Sequence, residues 1–320
     1  MMKIYEIKND YHQLKLLEHG ATIYEWLCFS NKTSIVLNNQ DMNIYKDSTK
    51  GYFGSTIGRV ANRIKNGKFK LNDTDYQLPL NYLNKHTLHG GPLSFNTKTF
   101  EVVEHNDLSI KFKYISNHLE NNFPGDLIVY VTYTLENESM IMSYDAISNQ
   151  DTIVNLTNHA HFNLGDETIL EHELQMNADR YLEVDSELIP TGKIVKMDIE
   201  PLNFITKKKL KEGIIPLQTA QTKGIDHAYL FHNDLPRELT LSFKNRQLKI
   251  ETSYPGLQVY TVNRKFEQLT KDGKDIPLHG AVAFECQIEP DAINHENFNS
   301  VILRKDEKYH HFIKYTIKES

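Results

Sequence analysis

LSIKFKYI at residues 108–115, DLIVYVTYTLE at 126–136 and SMIMSYDAI at 139–147 decide the fold class of this chain. In each, polarity alternates and Val, Ile, Tyr, Phe and Thr predominate, the period at which successive side chains leave opposite faces of an extended backbone. ELTLSFK at 238–244 and LKIETSY at 248–254 repeat the pattern. Between such segments lie turn clusters: residues around Asn137, KDGKD around Gly273, and Asn121 with Asn122 before Pro124 and Gly125. Helical periodicity is nowhere sustained. The spacing predicts an all-β, meandering antiparallel architecture. No composition shift, Gly/Ser linker, low-complexity run or fixed-period repeat divides the chain, so residues 1–320 are expected to form one large β-domain. Two long stretches, 51–99 and 185–227, lack any regular pattern. Inside a compact domain such stretches are functional or carry short strands that pattern reading does not resolve.

Composition narrows the function. Hydrophobic residues make up 39% of the 320 and charged residues 24%, which supports a sizeable core and excludes a disordered or fibrous chain. Lys plus Arg (36) against Asp plus Glu (42) gives a formal charge of -6, and no basic run exceeds residues 207–209. A nucleic-acid or anionic-membrane partner is therefore disfavoured. Nothing approaches the ~20 apolar residues of a spanning helix, and MMKIYEIKNDYHQL lacks the apolar core of a secretory signal. A soluble, cytoplasmic protein is expected. Cys28 and Cys286 sit in apolar surroundings and are expected to be reduced.

Four segments carry candidate chemistry. AVAFECQI at 281–288 places Val282, Phe284, Cys286 and Ile288 on one face and Ala281, Ala283, Glu285 and Gln287 on the other. Two small residues beside a carboxylate suit a face lining a ligand cavity, where partial desolvation raises the Glu pKa toward that of a general base at neutral pH. A solvent-facing Glu on a half-exposed strand fits the same pattern. NLTNHAHFNL at 155–164 aligns Asn155, Thr157, His159, His161 and Asn163 opposite Leu156, Ala160, Phe162 and Leu164. Two His and two Asn on one face point to a polar ligand, and imidazole suits proton transfer. The rival is a metal held by the His159-x-His161 pair, for which no third ligand at fixed spacing is evident. LHGG puts His89 before two glycines that allow close backbone approach, and GRVANRI offers Arg59, Asn62 and Arg63 as a hydroxyl or carboxylate clamp. Asp226 in GIDHAY and Gln258 in YPGLQVY carry no signal singly. No phosphate loop and no dinucleotide fingerprint is present.

Taken in order, GRVANRI, LHGG, NLTNHAHFNL, the Asp of GIDHAY, PGLQVYT and the Glu of FECQ followed by PDAINH resemble the motifs of the aldose 1-epimerases, the galactose mutarotases. The resemblance runs from about residue 50 to the C-terminus. It implies a large antiparallel β-supersandwich with a sugar in a groove across one sheet, no organic cofactor and no metal. It implies interconversion of the α and β anomers of free aldohexoses such as glucose or galactose, by acid–base ring opening and closure. Glu285 would be the base taking the anomeric hydroxyl proton, His159 the acid at the ring oxygen, and His89 an aid at the reacting centre. Asn62, Arg63, Asp226 and Gln258 would hold sugar hydroxyls. The family usually has Tyr at the position of His161 and often Thr at that of Cys286, departures that bear on pocket shape.

Two rival classes share these residues: a non-catalytic carbohydrate-binding domain of the same fold, and a cupin-like metalloenzyme built on His159 and His161. The only cations in the matched motifs are Arg59, Arg63 and Lys65, so a neutral sugar is expected over a sugar phosphate. No signal bears on oligomeric state.

Overall fold

The computed structural model describes every residue except Met1, Asn31, Ser48, Thr49, Ile199 and Glu200. The three deciding segments are the strands Ser109–Ser116, Leu127–Glu136 and Ser139–Ser148. They pair antiparallel, Ser109 opposite Thr134 and Glu136 opposite Ser139. Alternation carries through to burial: Leu127, Val129, Val131, Tyr133 and Leu135 are buried, while the residues between them are half-buried. These strands lie in a nine-stranded sheet whose order is Glu101–His105, Ser109–Ser116, Leu127–Glu136, Ser139–Ser148, Lys308–Glu319, Arg246–Thr252, Glu238–Phe243, Glu173–Met176 and Lys208–Lys209. Every pairing in it is antiparallel.

A second, six-stranded antiparallel sheet runs His161–Phe162, Val282–Gln287, Gly256–Tyr260, Asp226–Phe231, Ala178–Val184 and Pro190–Lys196. One continuous core unites the sheets, with Tyr133, Met142, Tyr144 and Tyr315 from the larger and Leu257, Val259, Phe284 and Cys286 from the smaller. Trp26, from the N-terminal strand Thr22–Cys28, packs edge-on against Phe162 and Tyr315 at centroid distances of 6.3 and 5.5 Å. Burying each large apolar side chain in this way contributes ~1.5–3 kcal/mol. The antiparallel all-β expectation is met, and both cysteines are buried free thiols. Among the described residues no helix is long and apolar enough to cross a membrane.

The irregular stretch 51–99 is a chain of short strands: Thr56–Ile57, Arg63–Ile64, Lys68–Leu71, Thr74–Gln77 and Thr87–Leu88. Strands of two to four residues are too short for alternation to reveal. The other stretch holds Pro190–Lys196, Lys208–Lys209 and the short helix Leu210–Ile214. Arg59 has a purely architectural place. Its buried guanidinium donates to Ser116 Oγ (2.9 Å), Pro124 O (2.8 Å), Ser116 O (2.8 Å) and Asn117 O (2.9 Å), tying residues 116–124 beneath the 51–99 stretch.

Candidate active site

Val282–Gln287 pairs with Gly256–Tyr260 on one side and, at Val282 and Ala283, with His161–Phe162 on the other, and every residue in it is buried. Phe284 and Cys286 enter the core, and the pleat sends Ala283 and Glu285 to the other face. Register then assembles the site. Glu285 lies opposite Gln258, Ala283 opposite His161, and Asp226 opposite Tyr260. Beside these pairs opens a cavity of about 430 Å³. Glu285, His159, His89, Asn62, Arg63, Asp226 and Gln258 all line it. Glu285 is only 2% exposed, which discards the solvent-facing reading of its strand.

Within NLTNHAHFNL the expected face of five polar groups does not form. The segment breaks into two short strands, Thr157–Asn158 paired with Thr56–Ile57 and His161–Phe162 paired with Val282–Gln287. Asn155 spends its amide on the backbone of Ile288, at 3.0 Å each way, and Asn163 donates to Asp166 O (2.9 Å) and Gly280 O (2.7 Å). Only His159 and His161 reach the cavity. The two Asn instead satisfy backbone groups left unpaired where the strands end.

The stretch 51–99 supplies more than half of the cavity's described lining residues. Asn62 and His89 both adopt left-handed backbone, at φ 63° and 53°. Such residues cost ~1–3 kcal/mol each and persist where the surroundings over-determine them. Here each holds the other: the His89 N–H donates to Asn62 O (2.9 Å), and the Asn62 N–H donates to His89 Nδ1 (3.1 Å). Gly90 is required next to His89, because a Cβ there would lie 2.1 Å from the carbonyl oxygen of Gly58. The bond into His89 Nδ1 also sets its tautomer. A neutral imidazole that accepts at Nδ1 carries its proton on Nε2, so His89 is a hydrogen-bond donor toward the cavity. Burial, with the charges of His159 and Arg63 adding to it, holds His89 well below the usual histidine range and keeps it neutral.

The polar clamp is pre-assembled. Asn62 Oδ1 accepts from the Arg63 backbone N–H (2.9 Å) and guanidinium (3.2 Å), which leaves the Asn62 amide donors for a ligand. Arg63 lies over the Tyr82 ring at 4.8 Å and 3.7 Å from Asp226 Oδ2. Gln258 donates to Asp226 Oδ1 at 2.5 Å, leaving its own carbonyl oxygen as an acceptor. Beyond the clamp, Glu285 Oε1 stands 3.4 Å from His159 Nε2. The Tyr52 ring stacks on His159 at 5.5 Å and meets His89 edge-on at 4.6 Å. Desolvation pushes Glu285 up to about 8, with the Asp226 carboxylate adding to the effect and Arg63 opposing it. Desolvation likewise brings His159 down to about 4. Burial thus opposes charge on both partners, and the pair holds a single proton across a wide span of pH.

His161 is fully buried among Phe53, Tyr260, Phe266 and His159, at centroid distances of 5.3, 6.3, 6.1 and 4.8 Å. Among the described residues, the His, Cys and acidic groups near enough to one another to hold an ion are His89, His159 and Glu285, whose ligand atoms lie within 4.8 Å; His161 is not among them. A metal centre on His159 and His161 therefore has no geometric support. His89 is also a poor ligand, since its Nε2 carries the proton. Cys286 faces the core, so its difference from the family leaves the cavity wall untouched.

Tyr52, Asn81, Tyr82, Tyr260, Arg264 and Phe266 also line the cavity, and the sequence reading passes over them. Tyr260 is within reach of that reading, being two residues beyond Gln258 on the same strand face. The others lie in irregular segments with no periodicity to betray them.

Comparison with known proteins agrees with this geometry. The family model described as aldose 1-epimerase matches residues 3–316. Galactose mutarotase of Rattus norvegicus is 33% identical over 318 residues, covering 96% of this chain and 91% of that one. An aldose 1-epimerase of Haemophilus influenzae is 32% identical over 279 residues, covering 84% and 82%. The crystal structure of an aldose epimerase homologue from C. elegans superposes with a TM-score of 0.90 at 30% identity, covering 100% of this chain and 99% of that one. With its ordered motifs gathered in one cavity and these similarities spanning nearly its whole length, the chain belongs to the aldose 1-epimerase family.

Proposed function

We propose that Glu285 and His159 open and reclose the hemiacetal ring of a free aldohexose such as galactose or glucose. The observation that carries this reading is the pairing of Glu285 Oε1 with His159 Nε2 at 3.4 Å on the wall of a cavity of about 430 Å³. Glu285 takes the proton of the anomeric hydroxyl while His159 gives one to the ring oxygen. The C1–O5 bond breaks and C1=O1 forms. Rotation about C1–C2 and reversal of both transfers yields the other anomer. Paired transfers by positioned groups need neither hydride carrier nor metal. His89 donates from Nε2 at the reacting oxygens, while Asn62, Arg63, Asp226 and Gln258 hold the remaining hydroxyls. A non-catalytic binding domain has no need of an acid and a base in contact. The core running from Ile7 to Ile317 supports residues 1–320 as a single domain, and the two free thiols support a cytoplasmic location. The test is polarimetry on freshly dissolved α-galactose and α-glucose: equilibration no faster with protein than without it ends the proposal.

The pH profile follows from the shared proton. Below about 4 both groups are protonated and no base remains; above about 8 neither holds the shared proton and no acid remains; between the two the proton rests mainly on Glu285, and the reacting form is the minority in which it has passed to His159. We expect kcat/KM, after subtraction of spontaneous mutarotation, to be bell-shaped with limbs near these values. A rate still climbing beyond the upper limb would contradict the assignment.

Glucose 6-phosphate should be a poor substrate. Arg59 is consumed beneath the cavity, Lys65 is not among the lining residues, Arg63 is paired with Asp226, and Arg264 is a single exposed guanidinium. A phosphate dianion is usually held by several unpaired donors. A kcat/KM for glucose 6-phosphate about tenfold above that for glucose would reverse this expectation.

A further inference from the structure

PDAINH at 290–295 follows the strand that carries Glu285, and nothing in the proposed chemistry uses its acid. Asp291 is not among the residues lining the cavity, yet its carboxylate is fully buried. What it touches is the strand that bears Arg63.

Arg63–Ile64 is two residues long and pairs along one edge with Thr87–Leu88. Asp291 closes the other edge. Its N–H donates to Arg63 O (3.0 Å), and its Oδ1 accepts from the Lys65 N–H (3.0 Å). On an extended chain the backbone groups of residues two apart point to the same side, so one residue can serve both. Asp291 thereby takes the place of a neighbouring strand, with its amide as donor and its carboxylate as acceptor. The carboxylate is itself held in place: Asn294 Nδ2 donates to Oδ1 (2.6 Å) and to Lys68 O (3.0 Å), and His295 Nε2 lies 3.3 Å from Oδ2. The backbone at Asp291 is left-handed, φ 59°, a conformation that Asp and Asn adopt more readily than most residues. Pro290 lines, together with Asn62, Arg63, Asp226 and Gln258, a void of only about 10 Å³, so this segment lies against the back of the clamp.

We propose that Asp291 is a positioning residue that fixes Arg63, and with it the hydroxyl clamp, relative to Glu285. The chain leaving the base's own strand carries the latch for the clamp. Without that latch the short Arg63–Ile64 strand is held at one edge only, and the guanidinium drifts from the hydroxyl it holds, a bond that weakens steeply with distance and angle. The inference rests on the mutarotase reading and on the assignment of Arg63 to a sugar hydroxyl.

The experiment follows mutarotation of freshly dissolved α-galactose. Partial misfolding lowers apparent kcat but leaves KM where it was, so KM is the readout. Asp291→Ala should raise KM by about tenfold, the worth of one hydrogen bond from a charged donor. Asp291→Asn, which keeps the acceptor and tolerates the backbone, should restore the wild-type KM. In an Arg63→Ala background, Asp291→Ala should move KM by less than about twofold, because the residue through which it acts is gone. Asn294→Ala, at an exposed position, loosens the same carboxylate without emptying a buried site and should raise KM by about threefold; it carries the test should Asp291→Ala fail to fold. A KM unmoved in every variant that folds, or raised equally with and without Arg63, makes Asp291 purely architectural and overturns the proposal while the mutarotase reading stands. A wild type that does not accelerate the reaction overturns both, and does so before any variant is measured.

Discussion

Glu285→Gln is expected to fold normally and to lose ~10²–10⁴-fold in kcat, the usual worth of a positioned proton-transfer group. The amide keeps the shape of the side chain but cannot take a proton from the anomeric hydroxyl, and the other carboxylate lining the cavity, Asp226, is engaged by Arg63 and Gln258. Retention of more than about a tenth of wild-type mutarotation would remove Glu285 as the base. The same variant carries an independent signature in its stability. Desolvation raises the folded Glu285 carboxyl to about 8 from an ordinary value of 4.5. A group raised on folding adds stability that is fully present below its unfolded pKa and lost as pH climbs through the folded one, at ~1.4 kcal/mol for each tenfold gain in proton affinity. The wild type therefore forfeits stability between pH 4.5 and about 8, while a glutamine does not titrate. Thermal denaturation at pH 6 and pH 9 should show Glu285→Gln gaining on the wild type at the higher pH. A variant inactive yet more stable at pH 9 separates lost chemistry from lost folding.

His159→Ala should be comparably severe in kcat, because it deletes the imidazole proposed as the acid, 3.4 Å from Glu285, and removes the ring on which Tyr52 stacks. His161→Ala should divide differently. Its imidazole is fully buried in an aromatic pocket and makes no hydrogen bond from either nitrogen, so truncation leaves a void costing about 2–5 kcal/mol of stability with a milder effect on kcat. His161→Tyr, which restores the family's usual residue, should be close to neutral in turnover. Parallel kcat and denaturation measurements on the three variants test this division. Equal, severe losses of kcat at both histidines, with stoichiometric bound zinc, iron or manganese, would revive the metal centre.

Strand identity and facing are legible without a structure wherever a strand is long enough to alternate. Leu127–Glu136 has ten residues, and its buried and half-buried positions follow the polarity of the sequence one by one. Within Val282–Gln287 the same rule separates Glu285 from Phe284 and Cys286, since period two admits only two faces. Where strands shrink to two residues the rule has nothing to count. Alternation therefore groups Asn155 and Asn163 with the histidines although they serve backbone ends, and it gives no sign of Tyr52 and Tyr82.

The chain's own residues thus determined the fold class, the core face of each long strand and, through six ordered motifs, the family and seven of the residues that line its cavity. Alternation, turn chemistry and motif order are all local, and each can be read one segment at a time. Which polar groups face a ligand and which are spent on architecture was decided only by tertiary structure. Arg59 and Arg63 stand four positions apart, yet one is buried against Pro124 and Ser116 while the other sits across the cavity clamp from Asp226. The raised pKa of Glu285 and the tautomer of His89 belong to the same category. Each depends on desolvation and on partners more than 25 positions away in the chain, and burial and distance are properties of the assembled sheets.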